Sequence, residues 1–311
     1  MQRKPLTHLR TREYEHPFDK AALDRLENTR GLDMFTQKVL DLGLERMLRI
    51  KHTGDNVRLT NGNAPALHAI LREACDLLSL RRMPELYVNL DDKINSLTSG
   101  EAQTQIVISS GCIDLLDENE LLFMFGREVG HIKSGHVFYQ MMADSLQAIS
   151  QFLSDATLGI SNLVSMPLRA ALLHWYRMSE FTADRAGLLA CQDIEVAAQT
   201  FIKMAGLPKS LHGQVSVQDL RQQAAEFDNI EDTQFEKLIR FAASYENRQP
   251  FTIIRASQLF QWYDEGEYDT VVDKEDRPEA PTGFDCLNRN CPFPFDTDEI
   301  YCRECGIKIK P

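Results

Sequence analysis

The chain has 311 residues, 43% of them hydrophobic and 26% charged, and a formal net charge of −12. That length allows one sizeable core and a small appendage, and the composition is that of an ordinary globular protein. The acidic excess argues against a nucleic-acid partner, which would need Lys and Arg clustered against phosphates.

The first residues, Met1-Gln-Arg-Lys-Pro-Leu-Thr-His8, are basic but lack the apolar run of a secretory signal. Over residues 19–50, Leu23, Leu26, Leu32, Phe35, Val39, Leu42, Leu44 and Leu48 recur at helical spacing. A second helix fits Ala64–Leu80. Pro84 introduces a strand-like run, Glu85–Asn89, and after a polar turn ending at Gly100 a second strand fits Gln105–Ser109. Asp117 stands at a helix N-cap with Glu120 three residues on, which predicts a helix from Glu118 to about Ala143. The most lipid-like stretch, residues 152–173, contains Asp155, Asn162, Pro167 and Arg169. It falls short of an apolar span and leaves only a peripheral membrane contact open. Further helices fit 168–191, 193–205, 216–227, 231–247 and 251–263. Residues 264–283 are acidic and proline-containing, the composition of a linker. The chain thus divides into a domain over 1–263, an acidic linker over 264–283 and a cysteine-bearing module over 284–311.

The segment Gly126-Arg-Glu-Val-Gly-His-Ile-Lys-Ser-Gly-His136 carries the most chemical information. In a helical H-E-x-x-H, histidines at i and i+4 share a face and can grip one zinc, and the glutamate between them polarises a metal-bound water. Here the pattern is Arg127-Glu128-Val129-Gly130-His131. Taken alone, E-x-x-H is a weak signal. Its surroundings sharpen it: Glu120-Leu-Leu lies before it, and Tyr176-Arg-Met-Ser-Glu-Phe-Thr-Ala-Asp184 follows downstream. Together with Glu85-Leu-Tyr-Val, Asn95-Ser-Leu-Thr-Ser-Gly100 and Ile106–Leu116, these segments resemble, in order, the minigluzincin zinc metallopeptidases. That group holds the CAAX prenyl endopeptidases and the HtpX heat-shock protease, here of the soluble bacterial type. The resemblance covers about residues 17–265.

The resemblance implies an α+β, mainly helical fold with a small sheet beside the motif helix. It implies that Glu180 is the third zinc ligand and that Asp184 buttresses a ligand histidine from behind. It also implies an edge strand able to align an extended peptide by main-chain pairing.

Arginine cannot replace the first histidine, because a guanidinium offers no free lone pair and carries a fixed positive charge. His131 and Glu180 would remain as a residual ligand pair, which leaves a catalytic zinc doubtful. His136 offers no rescue, since five residues place it about 140° round an ideal helix from His131. The charges suggest an alternative: Arg127 pairs with Glu180 or Asp184 and stands in for zinc. A second departure is Gln249-Pro250…Arg255, where active relatives carry His-Pro and a downstream arginine near the active centre.

In the tail, Cys286-x4-Cys291-x10-Cys302-x2-Cys305-Gly306 reads as a zinc ribbon. Four thiolates close the coordination shell, so this zinc is expected to be structural. Cysteines grouped in this way, in a chain without a signal, indicate metal in a reducing, cytoplasmic compartment. Cys75, Cys112 and Cys191 lie in apolar contexts and read as packing residues.

Three functions remain open. The first is a pseudopeptidase that binds peptide or protein through its groove or ribbon. The second is an active zinc endopeptidase with Glu128 as general base and atypical ligation. The third is an adaptor in which only the ribbon matters. Oligomeric state is not legible.

Overall fold

Two glycines cut the first helical stretch into three. The structure, a computed structural model, describes residues 3–101, 103–146, 149, 165–228, 250–275 and 277. Where the periodicity suggests one helical region over 19–50, the chain forms α1 (Pro17–Glu27), α2 (Leu32–Asp41) and α3 (Leu44–Asp55). Gly31 (φ 94°) and Gly43 (φ 65°) turn the chain through the left-handed region at the two breaks. A short strand β1 (Val57–Leu59) and helix α4 (Pro65–Leu77) follow.

The sheet is built from β1, β2 (Glu85–Asn89), β3 (Ser96–Ser99) and β4 (Gln105–Ser109), in the order β1-β2-β4-β3. β2 and β4 run parallel, and the two outer pairings are antiparallel. β3 corrects the sequence expectation. The stretch before Gly100 reads as a polar turn because Ser96, Thr98 and Ser99 are hydroxylated, yet it forms one of the two edge strands.

The motif helix also differs from expectation. After α5 (Ser110–Leu115), α6 spans Glu118–Lys133 and opens with the expected capping box of Asp117 and Glu120. It stops there because Gly135 turns left-handed (φ 69°), and α7 (Val137–Asp144) starts afresh. The longest helix, α8 (Met166–Cys191), is capped by Ser165, whose hydroxyl accepts from Leu168 N. α9 (Ile194–Met204), α10 (Val217–Asp228), α11 (Thr252–Asp264) and α12 (Glu267–Val272) complete the described α-helices. α12 occupies the beginning of the acidic stretch with linker composition, and its Tyr268 and Val271 are buried. The segment read as a helix over 231–247 and the cysteine module over 284–311 lie outside the described residues.

α6 and α8 form the centre of the core and are buried along most of their length. Small residues set their distance. Gly126 and Gly130, one helical turn apart, lie against Ala190 and Ala186, and a Cβ on either glycine would overlap those alanine methyls. On α8, a Cβ on Gly187 would stand 2.7 Å from Arg127 Cγ. This close approach carries Arg127 on α6 to the carboxylates of α8. We expect Gly130→Ala to cost about 1–3 kcal/mol through overpacking. A urea midpoint unmoved by the substitution would show that the helices have room to separate.

Among the described residues, no helix is long and apolar enough to cross a membrane. Of the lipid-like stretch, residues 166–173 form the first turns of α8, and 152–164 lie outside the described residues.

Candidate functional site

α6 supplies Arg127, Glu128 and His131, α8 supplies Glu180 and Asp184, and α11 supplies Arg255. All six converge, and none is more than 3% exposed. Arg127 Nε donates to Asp184 Oδ1 at 2.7 Å, and its terminal NH2 donates to Glu180 Oε2. Arg255 makes a bidentate pair with Asp184, Nε to Oδ2 at 2.8 Å and NH2 to Oδ1 at 2.6 Å. Arg255 NH2 also stands 3.8 Å from Glu180 Oε2. Two guanidinium groups thus face two carboxylates in a cluster withdrawn from water. Arg127 is held firmly in its charged form, since Asp184, Glu180 and Glu128 outweigh the opposing effect of burial.

Glu128 is held from a different side. Ser96 Oγ donates to its Oε1 and Thr98 Oγ1 to its Oε2, both at 2.6 Å. Burial raises its pKa above the ordinary carboxylate value, although Arg127 and the two hydroxyls pull it down. Sequence reasoning missed these two partners. The signal available was their alternation, since residues i and i+2 of a strand share a face.

His131 Nε2 faces Glu180 Oε1 at 3.6 Å. Its pKa is driven well below the usual histidine value, first by burial and then by His136, Arg127 and Arg255, so the ring is neutral. On its other side, His131 Nδ1 lies 3.0 Å from Gln140 Nε2 and 3.0 Å from His136 Nδ1. The ideal-helix argument therefore misplaces His136. The break at Gly135 swings it back beside His131, although behind the ring and away from Glu180. His136 Nε2 in turn meets Asp19 Oδ2 at 3.1 Å, and that oxygen also accepts from Thr182 Oγ1 at 2.6 Å. Asp19 and Thr182 tie α1 to the back of the site; neither has a sequence signature.

Among the described residues, no group of three or more His, Cys, Asp or Glu side chains is gathered to hold a metal ion. The donor set explains why a catalytic zinc does not fit this arrangement. The first ligand position holds a cation whose NH2 uses Glu180 Oε2, and Asp184 is shared between two arginines. His131 Nε2 and Glu180 Oε1 are left, one donor short of the three protein ligands a catalytic zinc needs. Cys286, Cys291, Cys302 and Cys305 lie outside the described residues, as does Gln249. Cys75, Cys112 and Cys191 are not joined in disulfides, and all three are buried.

Beside the cluster runs a groove of about 1340 Å³, floored by Asn95–Ser99. Leu44 and Leu48 of α3, Met141 of α7 and Tyr176 of α8 line its walls. Met204, Leu207, Pro250 and Phe251 close its far side. The six residues of the charged cluster are not among its lining residues.

The sequence profile of peptidase family M48 matches residues 61–262. The plastoglobule-localized metallopeptidase 48, chloroplastic, of Arabidopsis thaliana is 28% identical over 268 residues, covering 85% of this chain and 76% of the relative. No solved structure matches the chain significantly.

Proposed function

The chain belongs to peptidase family M48, and from that membership we propose that it is a pseudopeptidase that binds an extended peptide or protein segment in the groove without hydrolysing it. The observation that carries this reading is the placement of Arg127, whose guanidinium bonds to both Glu180 and Asp184. A fixed cation takes up the ligand oxygens and repels a second cation at the same place. The buried position of Glu128 and His131 supports the reading further, because a peptide in the groove meets neither directly. The side of β3 that no strand pairs with among the described residues supports peptide binding by strand addition, with main-chain hydrogen bonds as the general source of affinity.

The cysteine module is proposed to hold a structural zinc through Cys286, Cys291, Cys302 and Cys305, and it offers a second surface for a protein partner. A reducing, cytoplasmic setting is proposed from the same cysteine usage. A peripheral lipid contact through residues 152–173 also belongs to the proposal, and the plastoglobule location in the name of the Arabidopsis relative supports it.

Metal analysis tests the reading. The wild type should carry about one zinc per chain, and C286S/C291S/C302S/C305S less than about a tenth. Casein incubated with the zinc-supplemented wild type should remain uncut. A variant lacking the four tail cysteines that still binds zinc stoichiometrically, and loses it on Glu180→Ala, establishes the active-site metal and defeats the pseudopeptidase reading.

A further inference from the structure

Glu128 would be a general base in an active relative, where its carboxylate must reach the water it deprotonates. Here each carboxylate oxygen takes a hydroxyl of β3 at 2.6 Å, the short distance of a charge-assisted bond. The main chain of those same two residues points elsewhere. Ser109 N donates to Asn95 O at 2.9 Å, so Asn95 and Ser109 form a hydrogen-bonded pair at the start of the β3–β4 ladder. Bonded and non-bonded pairs alternate along an antiparallel ladder. Leu97 therefore bonds to Val107 and Ser99 to Gln105, and Ser96 and Thr98 turn their N–H and C=O groups away from β4. That outer side faces the groove, and among the described residues no strand pairs with it. The opposite face of β3 is tied as well, by Ser99 Oγ to His52 Nδ1 of α3 at 2.9 Å.

We infer that Glu128 is a positioning residue for the docking edge of the groove. Through the hydroxyls of Ser96 and Thr98 it fixes the two residues whose main-chain groups meet an incoming extended peptide. The inference rests on the peptide-binding reading and gives the retained glutamate a task in it: an edge anchored in advance loses less conformational freedom when a peptide pairs with it.

Amide hydrogen exchange on the full-length chain tests the anchor, with fluorescent β-casein as the extended-peptide probe. In E128A and in S96A/T98V, where valine keeps the β-branched shape, the Leu97 and Ser99 amides should exchange at least about ten-fold faster than in wild type. Amides of α6 should be unchanged. Casein affinity should fall about ten-fold in both. E128Q can accept from one hydroxyl and donate to the other, and should restore protection to within about two-fold of wild type. That rescue separates an anchor from a base, which glutamine cannot replace. The variant E128A/S96A/T98V should exchange no faster than E128A, since both changes cut one connection. Exchange within about two-fold of wild type in both E128A and S96A/T98V overturns the inference, as does E128Q exchanging as fast as E128A. Exchange needs no ligand, so it judges the anchor by itself. A wild type that fails to capture casein instead defeats the peptide-binding reading.

Discussion

Arg127→Met should lower the free energy of unfolding by about 3–5 kcal/mol, the cost of leaving a buried charge without its partner. Glu180 would keep only Arg255, 3.8 Å from its Oε2, and the neutral ring of His131. Asp184 would lose one donor but retain its bidentate pair with Arg255. Most of the loss therefore belongs to Glu180, and R127M/E180Q should recover about 1–2 kcal/mol of it, because a neutral amide is less costly to bury. Urea titration reads both numbers from the midpoint, provided the slope stays constant. A loss below about 1 kcal/mol, the range of an exposed ion pair, would place the cluster among interactions of no structural consequence. The prediction distinguishes charge from bulk, because methionine fills much of the arginine volume and its packing against Gly187 is largely kept.

The same cluster joins the helices at the point where the resemblance places a metal. Arg127 ties α6 to α8 through two carboxylates, and Arg255 ties α11 to one of them. Three helices are cross-linked where the resemblance places one zinc. Glycine and alanine bring the α6 and α8 backbones close enough for short side-chain bonds to span them. The two guanidinium groups and two carboxylates balance in charge, and this makes their joint burial tolerable.

Much of this was legible beforehand. The spacing Arg127-Glu128-x-x-His131 and the pair Glu180, Asp184 lie within single helices, where i and i+4 share a face whatever the tertiary structure does. The pairing of Arg127 with those carboxylates follows from charge alone once the two helices face each other. What escaped the sequence depends on where the chain bends or on contacts across the fold. Gly135 ends α6 early and brings His136 to His131, which no ideal-helix angle could anticipate. Ser96 and Thr98 meet Glu128 from 32 and 30 residues away, and hydroxylated residues before a glycine resemble a turn more than an edge strand. Asp19 meets His136 from another helix altogether, with nothing in its neighbours to mark it.

Arg127→His, made in C286S/C291S/C302S/C305S, should convert a chain that binds no zinc into one that binds about one per molecule. Three features favour this. Positions 127 and 131 lie on one face of α6, as the two histidines of a helical zinc site do. His131 Nε2 and Glu180 Oε1 already face each other at 3.6 Å, and removing the guanidinium frees Glu180 Oε2. His131 is neutral, so no proton need be displaced from the ring's charged form. Zinc at a hundred times its dissociation constant should then stabilise R127H by about 2.7 kcal/mol and leave the parent unmoved. Peptide hydrolysis should stay low in zinc-loaded R127H, because a water would compete with the hydroxyls of Ser96 and Thr98 for the oxygens of Glu128. A folded R127H that ignores zinc means that the guanidinium was not the obstacle. Zinc-loaded R127H that cuts casein means that the hydroxyls release Glu128. The two effects are thus separable, since the arginine engages Glu180 and Asp184 while the two hydroxyls engage Glu128.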